Sequence, residues 1–276
     1  MSMPIIQELN GYDQTRGEYM KAIILAGGEG TRLRPYTTVF PKPLVPLGSK
    51  PILDIIVQQL DYYGFRDIVL TVGYLAELIQ AYFQNTNGRF SDVNISYEME
   101  KSPTGTAGSL GSISGLNETF LVMNGDILSS IDYSDLVSYH KEKGGILTIG
   151  MHKKHVKIDL GVMDIDCDGI LRGFVEKPEK EYRVSMGIYV FEPEVLNYIE
   201  PNKYLDFPDL VLRLLENGEK VVGYDPGAYW LDIGRHEDYA IAQEEFEHMK
   251  HLFLPNGNKS KRRGSREKLY VESSNI

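Results

Sequence analysis

Cysteine is nearly absent from this chain: Cys167 stands alone among 276 residues. A lone thiol excludes an intrachain disulfide and any cluster held by several thiolates. Basic charge is also short, with 29 lysines and arginines against 39 acidic residues and a formal net charge of -10. So acidic a chain lacks the broad positive field that nucleic acid requires, although a local basic pocket can still take a phosphate. No apolar run reaches the length of a membrane span, and the polar stretch 1–19 has no signal-peptide core. The expected setting is therefore cytoplasmic, with neither nucleic acid nor membrane as partner. His152 and His155 fall in Met151-His-Lys-Lys-His155, a polar stretch read as a connection after a strand and not as a metal site.

The remaining composition, 42% hydrophobic and 25% charged, is that of a globular protein. The length suits one large α/β domain or two small ones, with a substantial core. Three regions are expected: an extension over 1–20, a patterned domain over 21–250, and a basic tail over 251–276. The tail carries Lys259, Lys261, Arg262, Arg263, Arg266 and Lys268 among Gly, Ser and Asn, and reads as solvated and mobile; contact with an acidic partner or a second subunit is the alternative.

Within the domain, apolar strand-like runs alternate with helical stretches. Strands are expected at 22–26, 68–72, 95–98 and 120–123, with helices at 52–63, 75–84 and 133–143 and a short one from Thr106. This alternation predicts a mostly parallel sheet with helices on both faces. The second half is richer in strands, expected at 146–152, 161–165, 173–176, 186–191, 221–224 and 229–232. Helices are expected there at 193–199, 208–217 and 236–250. Turn chemistry at Asp166–Gly169 suits a hairpin.

The most informative stretch is Lys21-Ala-Ile-Ile-Leu-Ala-Gly-Gly-Glu-Gly-Thr-Arg-Leu-Arg-Pro35. An apolar strand runs straight into Gly27, Gly28 and Gly30, and Thr31, Arg32 and Arg34 follow. Glycines let the backbone turn tightly and bring its N–H groups against a ligand. Arginines beside such a turn can clamp a polyphosphate with forked, charge-assisted bonds. The stretch is neither a P-loop, which needs Lys after its last glycine, nor the Gly-x-Gly-x-x-Gly fingerprint, which needs glycine near Arg32 and Leu33. It predicts a nucleoside triphosphate site.

Four more places can carry chemistry. Lys42, stiffened between Pro41 and Pro43, can hold a phosphate as a point charge. Asp126 follows a buried-looking strand in Asn124-Gly-Asp126, and Asp232 repeats the pattern in Trp230-Leu-Asp232. Either aspartate alone could cap a helix, but with a phosphate turn the pair suits Mg²⁺, which takes one or two carboxylates plus phosphate and water oxygens. Glu176-Lys177 at a strand end can meet sugar hydroxyls and a phosphate, or form an exposed ion pair. Pro103-Thr-Gly105-Thr-Ala-Gly108 is a second glycine loop, able to lie against a flat base or simply to turn.

In this order the motifs resemble those of the sugar-1-phosphate nucleotidylyltransferases. Leu25–Pro35, Pro41-Lys42-Pro43, Gly105–Gly108, Asn124–Asp126, Val175-Glu-Lys-Pro178, Gly187-Ile-Tyr189 and Trp230–Gly234 carry the likeness, over roughly residues 20–245. The resemblance implies a Rossmann-like three-layer α/β/α fold with a mostly parallel mixed central sheet and a smaller strand-rich sugar-binding part. Leu25, Gly27, Gly28 and Gly105 would line base and ribose, and Gly30, Thr31 and Arg32 would hold the triphosphate. Lys42 would hold phosphate near the line of attack, and Asp126 and Asp232 would bind Mg²⁺. Gly161, Glu176 and Gly187 would contact the sugar and Lys177 its phosphate.

The implied substrates are an NTP and a sugar 1-phosphate, which attacks the α-phosphorus in line without a protein nucleophile. Arg32, Lys42, Asp126 and the cation would supply the catalysis by positioning and charge neutralisation. The pattern is most similar to the mannose-1-phosphate guanylyltransferase branch. Glu100 stands where thymidylyl members carry Gln, and a carboxylate can accept from both guanine N1–H and N2–H₂. Thymidylyl, cytidylyl or uridylyl transfer to glucose or heptose phosphates stays open, as does a non-catalytic nucleotide-sugar-binding subunit. A dehydrogenase lacks its fingerprint. The hexapeptide-repeat extension of longer members is not expected here, and a homo-oligomer is compatible with all of this.

Overall fold

A computed structural model describes residues 20–100 and 103–254. The expected extension over 1–20 and the tail beyond Leu254 lie almost wholly outside these residues. The chain opens with β1 (Lys21–Ala26), β2 (Pro46–Leu47), β3 (Lys50–Pro51) and α1 (Ile52–Tyr62). It continues through β4 (Asp67–Val72), α2 (Ala76–Gln84), β5 (Asn94–Met99) and α3 (Gly105–Gly108). Next come β6 (Phe120–Asn124), β7 (Ile127–Ser129), α4 (Tyr133–Lys143), β8 (Leu147–Lys157), β9 (Val162–Ile165) and β10 (Leu171–Val175). It closes with β11 (Glu179–Phe191), α5 (Phe207–Glu216), β12 (Val221–Tyr224), β13 (Trp230–Asp232) and α6 (His236–Phe253).

Seven strands form the main sheet in the order β12-β8-β11-β6-β1-β4-β5. The strands β6, β1, β4 and β5 run parallel, whereas β11 is antiparallel to both β6 and β8. The sheet is thus mixed and mostly parallel, with helices on both faces. The interior strand β1 is apolar from Ala22 to Ala26 because both of its faces are covered. Ala22, Ile24 and Ala26 pack with residues of α1, α2, α4 and α6. Ile23 and its sheet neighbours Val69, Phe120 and Val122 pack on the other face with Ala107 of α3 and Phe207, Leu210 and Leu214 of α5. Successive side chains of a strand point to opposite faces, so one six-residue strand seeds both layers.

From β1 the chain moves to β4 and β5 on one side, then returns to β6 on the other. The carboxyl ends of β1 and β6 therefore flank a topological switch point, where open α/β sheets leave a crevice for ligands.

Two strands are longer than their composition suggested. The strand expected at 146–152 continues as β8 to Lys157, so Met151–His155 is strand and not a connection. The strand expected at 186–191 begins at Glu179. This added ribbon is exposed and is held by the ladder and by cross-strand charge, with His155 opposite Glu181 and Lys157 opposite Glu179. His155 Nδ1 lies 3.1 Å from the Glu179 carboxylate. Apolar alternation, the signal used to find strands, is missing there because neither face is buried.

Smaller departures follow the same logic. Residues Pro193–Tyr198 form a 3-10 turn and not an α-helix. The helix expected to end at Lys250 continues as α6 to Phe253, whose ring is fully buried. The expected hairpin at Asp166–Gly169 forms, with Asp166 Oδ1 accepting from the N–H groups of Asp168 and Ile170.

One buried polar group gives the fold a pH dependence. His140 of α4 is fully buried, with Nδ1 2.7 Å from Thr148 Oγ1 and Nε2 2.9 Å from Glu192. Burial pushes its pKa below the usual histidine value, against the opposing pull of Glu192. The unfolded chain then takes up a proton that the folded chain refuses, so stability falls as pH drops through about 6.5 toward the folded pKa. Thermal melts at pH 7.5 and pH 5.5 should show a smaller acid-induced loss in His140→Gln than in the parent chain. An equal loss in both would assign the effect to other groups.

Candidate active site

The glycine turn leaves β1 at Ala26. Gly30 sits in the left-handed region at φ +61°, and its carbonyl accepts from Leu33 N–H at 2.9 Å and from Thr37 Oγ1 at 2.8 Å. These bonds fold Thr31–Leu33 into a single 3-10 turn and hold Arg32 at the strand end. A side chain at Gly27 would place its Cβ 2.8 Å from Glu100 Oε2, so the Glu100 carboxylate rests directly on this glycine. No protein atom lies within 4 Å of the corresponding point at Gly28. Nothing in the fold itself therefore requires glycine there.

The other side of the crevice is built from β6. Gly125 N–H donates to the Leu25 carbonyl at 2.9 Å, locking the turn after β6 against the end of β1. Asp126 follows, and β7 then pairs antiparallel with β13, placing Asp232 opposite Ile127. Ile233 N–H donates to the Asp126 carbonyl at 3.0 Å. Two aspartates distant in sequence are thus fixed side by side by backbone.

Their charges are managed by two cations. Lys42 is buried in the 3-10 turn Lys42–Leu44, and its Nζ pairs with Asp126 Oδ2. The second oxygen, Asp126 Oδ1, is buried without a hydrogen-bond partner. Burial and the neighbouring Asp126 charge raise the pKa of Asp232, while Lys42 and Arg32 oppose the rise. The Arg32 guanidinium and the Asp232 carboxylate both close over Gly234. Burial also raises the pKa of Glu100 at the other end of the crevice.

A cavity of about 550 Å³ occupies the crevice. It is lined by Leu25, Gly27, Gly28, Gly30, Thr31, Arg32, Lys42, Glu100, Gly105 and Asp126. A second cavity of about 180 Å³ takes Gly187 and Asp232, and Asn124 borders both. Gly187 lies at φ +70° in a bulge of β11, where a Cβ would come 2.6 Å from Asn124 Nδ2. Trp230 Nε1 donates to the Met186 carbonyl at 2.8 Å and seats the indole in the wall of the smaller cavity.

Gly161, Glu176 and Lys177 line neither cavity. They sit at the base of the β9–β10 hairpin, where the Phe174 ring and the Glu176 carboxylate cover Gly161. Asn124, Thr106, Trp230, Ser185, Tyr204 and Asp206 line the cavities without having been singled out. Asn124 and Trp230 adjoin the two aspartates and could have been found that way. Asp206 carried only the sequence signal of a helix cap.

The Nucleotidyl transferase family matches residues 21–248, and the chain belongs to that family. Among curated relatives, a UTP–glucose-1-phosphate uridylyltransferase of Synechocystis sp. is 37% identical over 80% of this chain and 61% of its own length. A mannose-1-phosphate guanyltransferase of Schizosaccharomyces pombe is 35% identical over 80% of this chain and 62% of its own. The chain thus spans about three fifths of the length of these relatives. Among solved structures, HddC from Yersinia pseudotuberculosis is similar with a TM-score of 0.62 and 27% identity, covering 82% of this chain and 99% of that one. A putative glucose-1-phosphate thymidylyltransferase from Bacillus anthracis gives a TM-score of 0.65 and 26% identity, covering 82% and 94%. Among the described residues no helix is long and apolar enough to cross a membrane.

Proposed function

We propose that the protein transfers a nucleotidyl group from a nucleoside triphosphate to a sugar 1-phosphate and releases pyrophosphate. The observation that carries this reading is the Lys42–Asp126–Asp232–Arg32 cluster set beneath a glycine turn at the switch point of the sheet. The glycine turn and Arg32 would receive the triphosphate, and the smaller cavity behind Asn124 would receive the sugar. An oxygen of the sugar phosphate forms the new bond to the α-phosphorus while the α–β bridging bond breaks. The nucleophile is already anionic, so the chain need not supply a strong base. Lys42 and Arg32 would hold the phosphates in line and offset their charge.

The donor set fits Mg²⁺. Asp126 Oδ1 lacks a hydrogen-bond partner among the described residues, and the repulsion felt by Asp232 is what a shared cation relieves. Among the described residues no third acidic or histidine side chain joins them, which suits an ion that keeps phosphate and water ligands. Bound there, Mg²⁺ would neutralise charge on the α-phosphate and on the departing pyrophosphate.

For substrates the reading is GTP with mannose 1-phosphate. Glu100 supports it, because guanine can donate two hydrogen bonds to a carboxylate and uracil or thymine one. The S. pombe relative points the same way, and the HddC structure complexed with GMP-PN supports the guanine nucleotide. The Synechocystis relative favours a second reading, UTP with glucose 1-phosphate. Pyrophosphate release from purified protein with Mg²⁺, each of five nucleoside triphosphates and mannose, glucose or heptose 1-phosphate decides between them. Silence across the panel, with tight nucleotide-sugar binding by calorimetry, would instead support a nucleotide-sugar-binding regulator. Glu100→Gln is expected to erode the GTP over UTP preference about tenfold, as the loss of one base-directed charged hydrogen bond implies. An unchanged ratio would remove Glu100 from base recognition.

A further inference from the structure

Asp206 immediately precedes α5, where an aspartate ordinarily turns its carboxylate onto its own helix's first N–H groups. It makes no such bond. Its Oδ1 instead accepts from Thr106 N–H at 3.0 Å and from Thr106 Oγ1 at 3.2 Å. Thr106 Oγ1 in turn accepts from Phe207 N–H at 2.9 Å, so each segment caps the other's helix. Tyr204 Oη donates to the remaining oxygen, Asp206 Oδ2, at 2.6 Å.

The backbone repeats this exchange. Leu205 N–H donates to the Thr104 carbonyl, and the Leu205 carbonyl accepts from Ala107 and Gly108 N–H, each at 2.9 Å. The fit leaves no slack: a Cβ on Gly105, which sits at φ +77°, would lie 2.5 Å from the Leu205 carbonyl oxygen. Gly105, Thr106, Tyr204 and Asp206 all line the larger cavity. One wall of that cavity is therefore made by two loops from opposite halves of the chain, and the Asp206–Thr106 exchange is their only side-chain tie among the contacts just described.

We propose that Asp206 is a positioning residue for nucleotide binding, acting through Thr106 to fix the Gly105 wall of the cavity. This rests on reading the larger cavity as the nucleotide site. Asp206 does not contact the reacting atoms. Both of its oxygens are engaged, Oδ1 by Thr106 and Oδ2 by Tyr204, and its effect is on where the Gly105 backbone stands. A misplacement of that wall weakens nucleotide binding more than it slows the chemical step.

The test is steady-state kinetics with GTP and mannose 1-phosphate, and with UTP and glucose 1-phosphate in parallel, alongside calorimetric nucleotide binding and thermal melts. Asp206→Ala should raise the nucleotide KM and Kd about tenfold and change kcat much less, as expected when a wall shifts by a fraction of an ångström. Thr106→Val removes the hydroxyl's bonds to Asp206 Oδ1 and to Phe207 N–H but keeps the Thr106 N–H donating to Asp206, so it should shift KM and Kd in the same direction by a smaller factor, and it serves alone if Asp206→Ala does not fold. The double variant should lose less than the product of the two single losses, because both remove the Thr106 Oγ1–Asp206 Oδ1 bond. Asp206→Asn keeps an oxygen for Thr106 and should restore KM to within about threefold of the parent value.

An unchanged KM in both single variants overturns the proposal. Additive losses in the double variant overturn it too. So does an asparagine variant as weak as the alanine one, which would mean that the charge acts on the ligand itself. A parent protein that binds GTP or UTP yet releases no pyrophosphate defeats the transfer reading alone, and the Kd comparison still judges Asp206. A parent protein that binds neither nucleotide overturns both.

Discussion

Asp126→Ala is expected to lower kcat for pyrophosphate release by about three orders of magnitude, the scale of losing a charge-stabilising group at a reacting phosphate. Two features make this the most sensitive position. Asp126 is the partner of the buried Lys42, and its other oxygen has no hydrogen-bond partner among the described residues. Removing the carboxylate deletes one of two anionic ligands available to a cation and frees the ammonium to swing away from its line. The fold should survive. The Asp126 carbonyl still accepts from Ile233 N–H, so the β7–β13 ladder stays anchored. The substitution also removes a buried unsatisfied oxygen, which offsets part of the lost ion pair. Thermal unfolding measured beside turnover separates the two effects. A variant that keeps kcat within tenfold of the parent would show that this carboxylate is not in the reaction.

Lys42→Met is expected to cost about a hundredfold in kcat/KM, because on the proposed function Lys42 would meet a phosphate as a buried point charge, for which there is no neutral substitute. It should also have an opposite effect on a second observable. Lys42 occupies Asp126 Oδ2, so it competes with any cation for that oxygen. Without the ammonium, Asp126 and Asp232 face each other with only Arg32 to balance them, and Mg²⁺ binding in the absence of nucleotide should tighten. Calorimetry with Mg²⁺ alone reads this directly. Turnover and Mg²⁺ affinity falling together would show that Lys42 supports the shape of the site and not its charge balance.

The parts of this protein legible in its sequence are those whose signal is local. The turn from Ala26 through Arg34 could be read because an apolar strand and three glycines adjoin in the chain. The three-layer sheet could be read because β1, β4 and β6 are buried on both faces and carry little but apolar residues. The nearness of Asp126 and Asp232 depended on the order of the motifs, since the β7–β13 ladder that produces it is only three residues long and leaves no periodic trace. The extended β8–β11 ribbon escaped because its stability lies in backbone pairing and exposed charge. The Asp206–Thr106 exchange escaped because a cap that serves a distant helix looks, in sequence, like one that serves its own. The hairpin residues Gly161, Glu176 and Lys177 mark the reverse case: their motif is clear, and the structure sets them apart from both cavities.

The β7–β13 ladder also has a consequence for how the protein comes off the ribosome. Chains emerge from the amino terminus, and early segments can fold before later ones exist. The glycine turn, Lys42 and Asp126 are all made well before Asp232. A chain stopped before β13 therefore carries only one of the two carboxylates. The second arrives when β13 docks on β7, close to the end of the domain's synthesis. On the proposed function, a polypeptide stopped before β13 lacks the second carboxylate and should not turn over nucleotide.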